Sequence, residues 1–304
     1  MSSFPEIPLD AWRPTKNTLH LFLQIVGKIR LRTHPRVNHW WHVTLYVSPR
    51  GLTTRAIPYK GGSFEIEFDL CEHALKIKMS DGRYEDFALY DGLTVADFYS
   101  SIFANLGKLG IDAEIWAVPY EAPSTTPFAD DHENKSYNKE YIERAHKTLV
   151  AVDDIFQEFR GRFTGKSTPV HLFWHSFDLA LTRFSGKAAP PMPEANMVTR
   201  EAYSHEVISF GFWFGDDKPE SLAEPAFYSY TAPKPDGLEK EPLRPETAFW
   251  TPGGGMALLK YKDVRNSSDP RSAVLEFLES SYQAGGKAAK WDAAGFQLSK
   301  TPGS

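Results

Sequence analysis

The chain is short of cysteine. Among its 304 residues there is one, Cys71, so no internal disulfide can form and thiolate-rich metal sites are excluded. A single cysteine suits a reducing, cytoplasmic setting. Long apolar runs are also missing. No stretch approaches the roughly 18 apolar residues that a membrane-spanning helix needs. The opening "MSSFPEIPLDAWRP" brings acids and prolines early and has no apolar centre, so no signal peptide is expected. Nor is there a basic excess. The formal net charge is -5 and the isoelectric point is near 6.1, which argues against a nucleic-acid partner. One local basic run, Lys28, Arg30, Arg32, His34 and Arg36, reads as the solvated end of a helix. The helical zinc signature H-E-x-x-H, the G-x-S-x-G elbow, the P-loop and G-x-G-x-x-G do not occur. "GGG" at 253–255 sits between two strand-like stretches and reads as a turn.

Aromatic residues are plentiful, at 14 % with 8 Trp, 13 Tyr and 21 Phe. Such residues fill cores, and they also wall pockets for flat ligands. In "TLHLFLQIVGKIRL" (18–31), Leu19, Phe22, Ile25, Val26 and Ile29 recur at helical spacing. "NHWWHVTLYVS" (38–48) reads as a strand that continues through a turn at Pro49 to Gly51. The stretch 63–89 holds two alternating strands and an Asp81-Gly82 hairpin turn. Thr94, with Asp97 three residues on, caps a helix whose apolar face is Val95, Phe98, Ile102, Leu106 and Leu109. "DAEIWAVPYEAP" (112–123) is expected to end the first half as a strand.

Residues 122–137 are polar, proline-bearing and aperiodic, as a linker would be. A helix follows, with Ile142, Ala145, Leu149, Val152, Ile155, Phe156, Phe159 and Phe163 on its apolar face. Then come "PVHLFWHSFDLALTRFSG" (169–186), read as one strand, and the strand "SHEVISFGFWFGD" (204–216). A proline-rich stretch and two short strands lead to a last helix capped by Asp269-Pro270. Trp-His (41–42 and 174–175) and Thr-Arg (54–55 and 182–183) occur in both halves, as after an internal duplication; chance likeness of two aromatic strands is the alternative. The expected class is α+β, with antiparallel sheets flanked by helices in two similar halves. The expected organisation is 1–121, a linker at 122–137, and 138–304, fused as one structural unit.

Together, "TLHLFLQIVGKIRL", "NHWWHVTLYVSPRGLTTRAIPY", "FEIEFD", "HLFWHSFDLALTRFSGKAAPP", "EAYSHEVISFGFWFGD" and the closing "LLKYKDVR…DP…FLESSY" resemble a bacterial family known as domain of unknown function 5996. The resemblance covers nearly the whole chain. It implies a soluble protein with these motifs in one arrangement and brings no activity. The family pattern has Gly where His175 stands and Pro where Phe214 stands, which weakens any shared chemistry that needs His175.

Read as a strand, 169–186 places His171, Phe173, His175 and Arg183 on one face, and Trp174, Ser176 and Asp178 on the other. Buried histidines and aspartates need hydrogen-bond partners. The candidate site gathers His39, Trp41, Trp174, His175, Arg183 and Trp213 as ligand-binding residues. His171 or His205 would act as general acid/base, with Glu206 or Asp178 orienting an imidazole and Arg183 holding an anionic group. The expected function is a cytosolic protein with an aromatic, His-lined small-molecule pocket and no cofactor. A Trp/His-rich core with every ring nitrogen satisfied is the plainer alternative. A second reading is a metal-dependent hydrolase with His171, His175 and His205 as ligands. Residues four apart on a strand stand about 13 Å apart, which disfavours pairing His171 with His175 on one ion. A third reading is a non-catalytic scaffold using the proline-rich segment 217–247.

Overall fold

We describe a computed structural model of the chain, covering residues 4–122, 124–216, 222–292 and 295–296. Residues 217–221 of the proline-rich segment lie outside the described residues.

Helix α1 (Leu9–Thr33) starts nine residues earlier than its apolar repeat, and Pro14 lies inside it. Its middle is buried on all sides. Leu19, Leu21, Phe22, Leu23, Ile25 and Val26 are at most 1 % exposed, and Lys16, Lys28 and Arg30 are buried with them. The solvated helix end expected at Lys28 and Arg30 is therefore corrected: the helix has no polar face to offer at that level.

Around α1 stands an antiparallel sheet of β1 (Tyr46–Ser48), β2 (Gly51–Thr53), β3 (Ile57–Tyr59), β4 (Gly62–Asp69), β5 (Ala74–Met79) and β6 (Tyr84–Ala88). The order is β1-β2-β4-β5-β6, with β3 also on β4. The β5–β6 hairpin turns at Asp81-Gly82 as expected, with Gly82 at φ 90° and the Met79 amide donating to Arg83 at 2.9 Å. Helix α2 (Val95–Lys108) is capped by Thr94, whose hydroxyl accepts from the Asp97 amide at 3.0 Å. Phe98 on α2 stacks on Phe22 of α1 at 4.1 Å between centroids, which locks helix to helix.

One expected strand does not form, and that at 38–48 forms only in its last residues, Tyr46–Ser48. At 38–44 the chain makes a 3-10 turn and a bend, with His39 at φ 55° and Trp40 at φ 61°. Two consecutive left-handed residues cannot continue an extended strand. At 112–122 the chain joins no strand and bends at 118 and 120–122, with Glu121 at φ 53°. The Tyr120 amide and carbonyl are taken by the side-chain amide of Gln24, at 2.8 and 2.7 Å, and Trp116 is 79 % exposed. Ile115, Trp116 and Val118 have strand composition without a sheet to join. Residues 124–137 pack through Phe128, Asp131 and Tyr137, all buried.

Helix α3 (Lys139–Gly161) leads to β7 (His171–Phe173). The stretch read as one strand is two, because Trp174 to Phe177 form a turn with Phe177 at φ 56° and its amide bonded to Phe173 at 2.8 Å. That turn explains some of the polar residues in so apolar a segment. His175 and Ser176 lie on it, and Ser176 Oγ donates to the Asp178 carboxylate.

Next come β8 (Asp178–Ala188), α4 (Met197–Ala202), β9 (His205–Trp213), β10 (Ala226–Ala232), β11 (Phe249–Trp250), β12 (Ala257–Lys260), α5 (Tyr261–Asn266) and α6 (Pro270–Ala288). The second sheet has the order β11-β12-β10-β9-β8-β7. Every registered strand pair is antiparallel, so the class is α+β. The Gly253–Gly255 turn closes with the Thr251 amide bonded to Met256 at 2.8 Å. Asp269 caps α6, accepting from the Ser272 amide at 3.1 Å. No helix among the described residues is long and apolar enough to cross a membrane.

The chain divides into two compact units. The first holds Met1–Val37, Trp41–Val150 and His171–Asp178; the second holds Asn38–Trp40, Ala151–Val170 and Leu179–Ser304. The stretch 122–137 lies within the first.

Candidate functional site

The expected site residues fall into two groups, one on each unit. Trp41, His171, Trp174, His175 and Asp178 belong to the first, and His39, Arg183, His205, Glu206 and Trp213 to the second.

In the second unit, His39 is locked. Its Nε2 faces Lys166 Nζ at 3.0 Å, and an ammonium can only donate, so Nε2 accepts. The proton is then on Nδ1, which donates to the Glu201 carbonyl at 3.0 Å. Burial, then the Lys166 charge, lowers the His39 pKa from its ordinary value. The His205 ring meets His39 edge-on at 5.5 Å, and its Nδ1 pairs with Ser204 Oγ at 3.1 Å. Glu206 does not orient an imidazole through any bond described; it accepts from Ser185 at 2.8 Å. Trp213 ends β9 opposite Ala226.

Arg183 sits in an aromatic cage. Its guanidinium carbon lies 3.6 Å from the Phe159 ring centre, 4.5 Å from Tyr282 and 4.9 Å from Phe163, and one Nη donates to the Phe159 carbonyl. The side chain is 2 % exposed, and burial pulls its pKa down to about 10, so it stays charged at neutral pH. Rings on several sides hold the cation by their negative faces. Arg183→Ala is expected to cost about 3 kcal/mol or more, because it empties the cage. Arg183→Met refills it and is expected to cost under about half of that, since replacing a buried charge by an apolar group of similar size is often near neutral. Chemical denaturation of both variants checks this, and equal losses would rule out a packing role.

In the first unit, Trp174 is buried against α1 with its indole N–H donating to the Val43 carbonyl at 2.9 Å. His175, at the turn, has Glu121 at 3.4 Å from Nδ1 and Tyr120, Phe173 and Trp174 around its ring. Trp41 accepts from Thr44 through its carbonyl, at 3.3 Å.

His171 differs from all of these. It is fully buried, and neither ring nitrogen has a hydrogen-bond partner. Burial, then the charges of Arg55 and Arg30, pushes its pKa down to about 3. The imidazole is therefore neutral at pH 7. Its neighbour Tyr46, on β1, lies 6.5 Å away between ring centroids. Two guanidinium groups flank Tyr46. Arg55 stands over the ring at 3.7 Å and Arg30 at 5.6 Å.

Arg30 comes from α1 and is 3 % exposed. It donates to the Thr54 carbonyl, while its Nε has no partner. Burial, ahead of the favourable Tyr46 contact, lowers its pKa from the ordinary arginine value. Arg55 is exposed and belongs to the 54–56 connection between β2 and β3. It is held at φ 54° by its own amide bond to Thr53 Oγ1 at 2.7 Å, a backbone state that a non-glycine residue adopts only under such restraint. No carboxylate among the described residues pairs with either arginine. The nearby strand acids are engaged elsewhere: Glu65 with Thr53 at 2.5 Å, and Glu67 with Ser48 at 3.1 Å and with Lys78.

Sequence reasoning placed His171 and missed its partners. Arg30 was absorbed into a basic run, and Thr54-Arg55 counted only towards a repeat. The usable signal was a basic residue inside the apolar repeat of α1, where no water reaches.

Among the described residues, no group of three or more His, Cys, Asp or Glu is arranged to hold a metal ion. The two surface clefts described lie apart from this cluster. One is walled by Tyr59, Gly61, Met79 and Arg83, the other by Glu241, Arg244, Gln283 and Lys287.

A family described as "Family of unknown function (DUF5996)" matches residues 4–298. The chain belongs to that family. No curated protein and no solved structure matches it. The DUF5996 match takes in residues of both units, and so includes Arg30, Arg55, Tyr46 and His171.

Proposed function

We propose that the protein is a cytosolic binder of small anionic molecules, and that Arg30, Arg55, Tyr46 and His171 form the binding site. One observation carries the reading: a buried arginine and its exposed neighbour face one tyrosine with no acidic partner among the described residues. Leaving a buried cation without a counter-charge costs several kcal/mol. Stacking on Tyr46 offsets about 1–2 kcal/mol of that. A bound anion would supply the rest, and its binding energy would draw on charge the fold has already desolvated. Arg55, the exposed member, is the entrance; its guanidinium covers Tyr46 and lifts to admit a ligand towards Arg30 and His171. A histidine with a pKa near 3 is a weak base, so the cluster favours binding over acid–base catalysis.

A panel of small anions at constant ionic strength tests the proposal by thermal shift. At least one is expected to raise the melting temperature saturably, by an amount equivalent to about 2.7 kcal/mol at a hundredfold excess over its Kd. The shift at the same ligand concentration should fall to about half or less in Arg55→Gln. A panel with no response beyond that of chloride would sink the proposal.

A further inference from the structure

We infer that the group bound at the Arg30–Arg55–Tyr46–His171 cluster is a phosphoryl group, as in a phosphate monoester, rather than a carboxylate. This rests on the anion-binding reading above. Two guanidinium charges meet at Tyr46 with no carboxylate partner among the described residues. The nearby strand acids Glu65 and Glu67 are already bonded to Thr53, and to Ser48 and Lys78. A carboxylate would neutralise one of the two charges. A phosphate monoester carries about −1.5 to −2 at pH 7 and matches both.

The origin of the donors argues the same way. They come from three separate elements: Arg30 from α1, Arg55 from the β2–β3 connection, and His171 from β7. A planar carboxylate is best held by one guanidinium fork, through two parallel hydrogen bonds. Arg30 keeps its buried Nε unpartnered while one Nη donates to the Thr54 carbonyl, and Arg55 and His171 add charge and donors from two further elements, beyond what a single fork supplies. A tetrahedral phosphoryl group has three peripheral oxygens and accepts single donors arriving from different sides. His171, neutral and with both ring nitrogens unpartnered, adds one N–H donor without adding charge. The rest of the ligand leaves past Arg55, where the cluster is exposed. The face of Tyr46 is occupied by Arg55 at 3.7 Å, so no ligand ring stacks there while Arg55 is in place.

Calorimetric titration of the full chain at pH 7.5 and fixed ionic strength, with inorganic phosphate, phenyl phosphate and acetate as probes, decides the matter. Phosphate and phenyl phosphate are expected to bind at least about tenfold more tightly than acetate. Arg55→Gln, at an exposed position, is expected to weaken both by about tenfold or more while the unliganded melting temperature stays within a few degrees. Tyr46→Phe, which keeps the ring and removes the hydroxyl, is expected to weaken them less. Acetate binding as tightly as phosphate would overturn the phosphoryl assignment and leave the anion reading standing. Absence of binding by all three probes would overturn both. Phosphate binding that survives Arg55→Gln undiminished would place the phosphoryl site elsewhere and overturn the assignment.

Discussion

Lowering the pH from 7.5 to 5 is expected to remove up to about 4 kcal/mol from the folding stability of the chain, well above the pH where carboxylates titrate. The cause is two buried histidines on the first unit. His20 and His171 are 4 % and 0 % exposed, and burial holds both at about 3, below the ordinary 6.5. His20 is also opposed by Lys16, with its Nε2 bonded to the His175 carbonyl at 3.0 Å. The unfolded chain takes up protons on these groups near 6.5, while the folded chain refuses them until about 3. Their contribution is thus fully present above pH 6.5 and is lost as the pH falls through that value towards 3. Each unit of pH inside that window costs about 1.4 kcal/mol per histidine, which gives about 2 kcal/mol for each at pH 5. His39, His42, His73 and His146 are lowered as well, mainly by burial, and push the same way. Denaturation midpoints at pH 7.5, 6 and 5 measure the effect, and His171→Phe should remove about half of it. A stability that is flat across this range would show that the two rings are not shielded from water. The anion site makes a linked demand: a ligand bound beside His171 counters Arg30 and Arg55 and shrinks the loss at pH 5.

The elements legible in the sequence are those whose ends carry local chemistry. Thr94 with Asp97, Asp269 with Pro270, and Asp81-Gly82 each mark a boundary by satisfying backbone groups within a few residues, and all three stand as expected. Strand β9 was legible because its apolar alternation meets real neighbours in β8 and β10. The failures share a different cause. "NHWWHV" and "EIWAV" have strand composition, but pairing is a property of the partner, and neither stretch has one. In 169–186 the turn carries no Gly, Pro, Asn or Asp at its left-handed position, which Phe177 fills. The cluster around Tyr46 was illegible for a third reason. A lysine or arginine in a helical repeat is read as facing water, and α1 is buried all round at the level of Lys28 and Arg30. Only tertiary packing turns a charge on the apolar side of a helix into a site.

That same burial makes Gly27 the most sensitive small residue on α1. Gly27→Ala is expected to destabilise the protein by about 3 kcal/mol or more, although alanine in a helix interior normally gains about 1 kcal/mol over glycine. A Cβ at Gly27 would fall 2.2 Å from Cδ1 and Cγ of Trp174. The indole cannot step aside, because its N–H is bonded to the Val43 carbonyl at 2.9 Å and the ring is 5 % exposed. Lys28 covers it as well, at 5.7 Å from the ring centre. Overpacking of this kind forces either the helix or the Trp174 turn to move, and a well-packed core pays for both. Gly107, near the end of α2, is the control. A Cβ there meets nothing within 4 Å, so Gly107→Ala is expected to be neutral or to stabilise by up to about 1 kcal/mol. The same substitution in two helices of one unit should therefore have opposite signs. Pairing Gly27→Ala with Trp174→Leu should recover part of the loss, as a coupling energy of about 1 kcal/mol or more between the two sites. Urea denaturation of the three single variants and the double variant measures all four terms. If Gly27→Ala were as stable as Gly107→Ala, α1 would not be packed against Trp174 through a bare backbone.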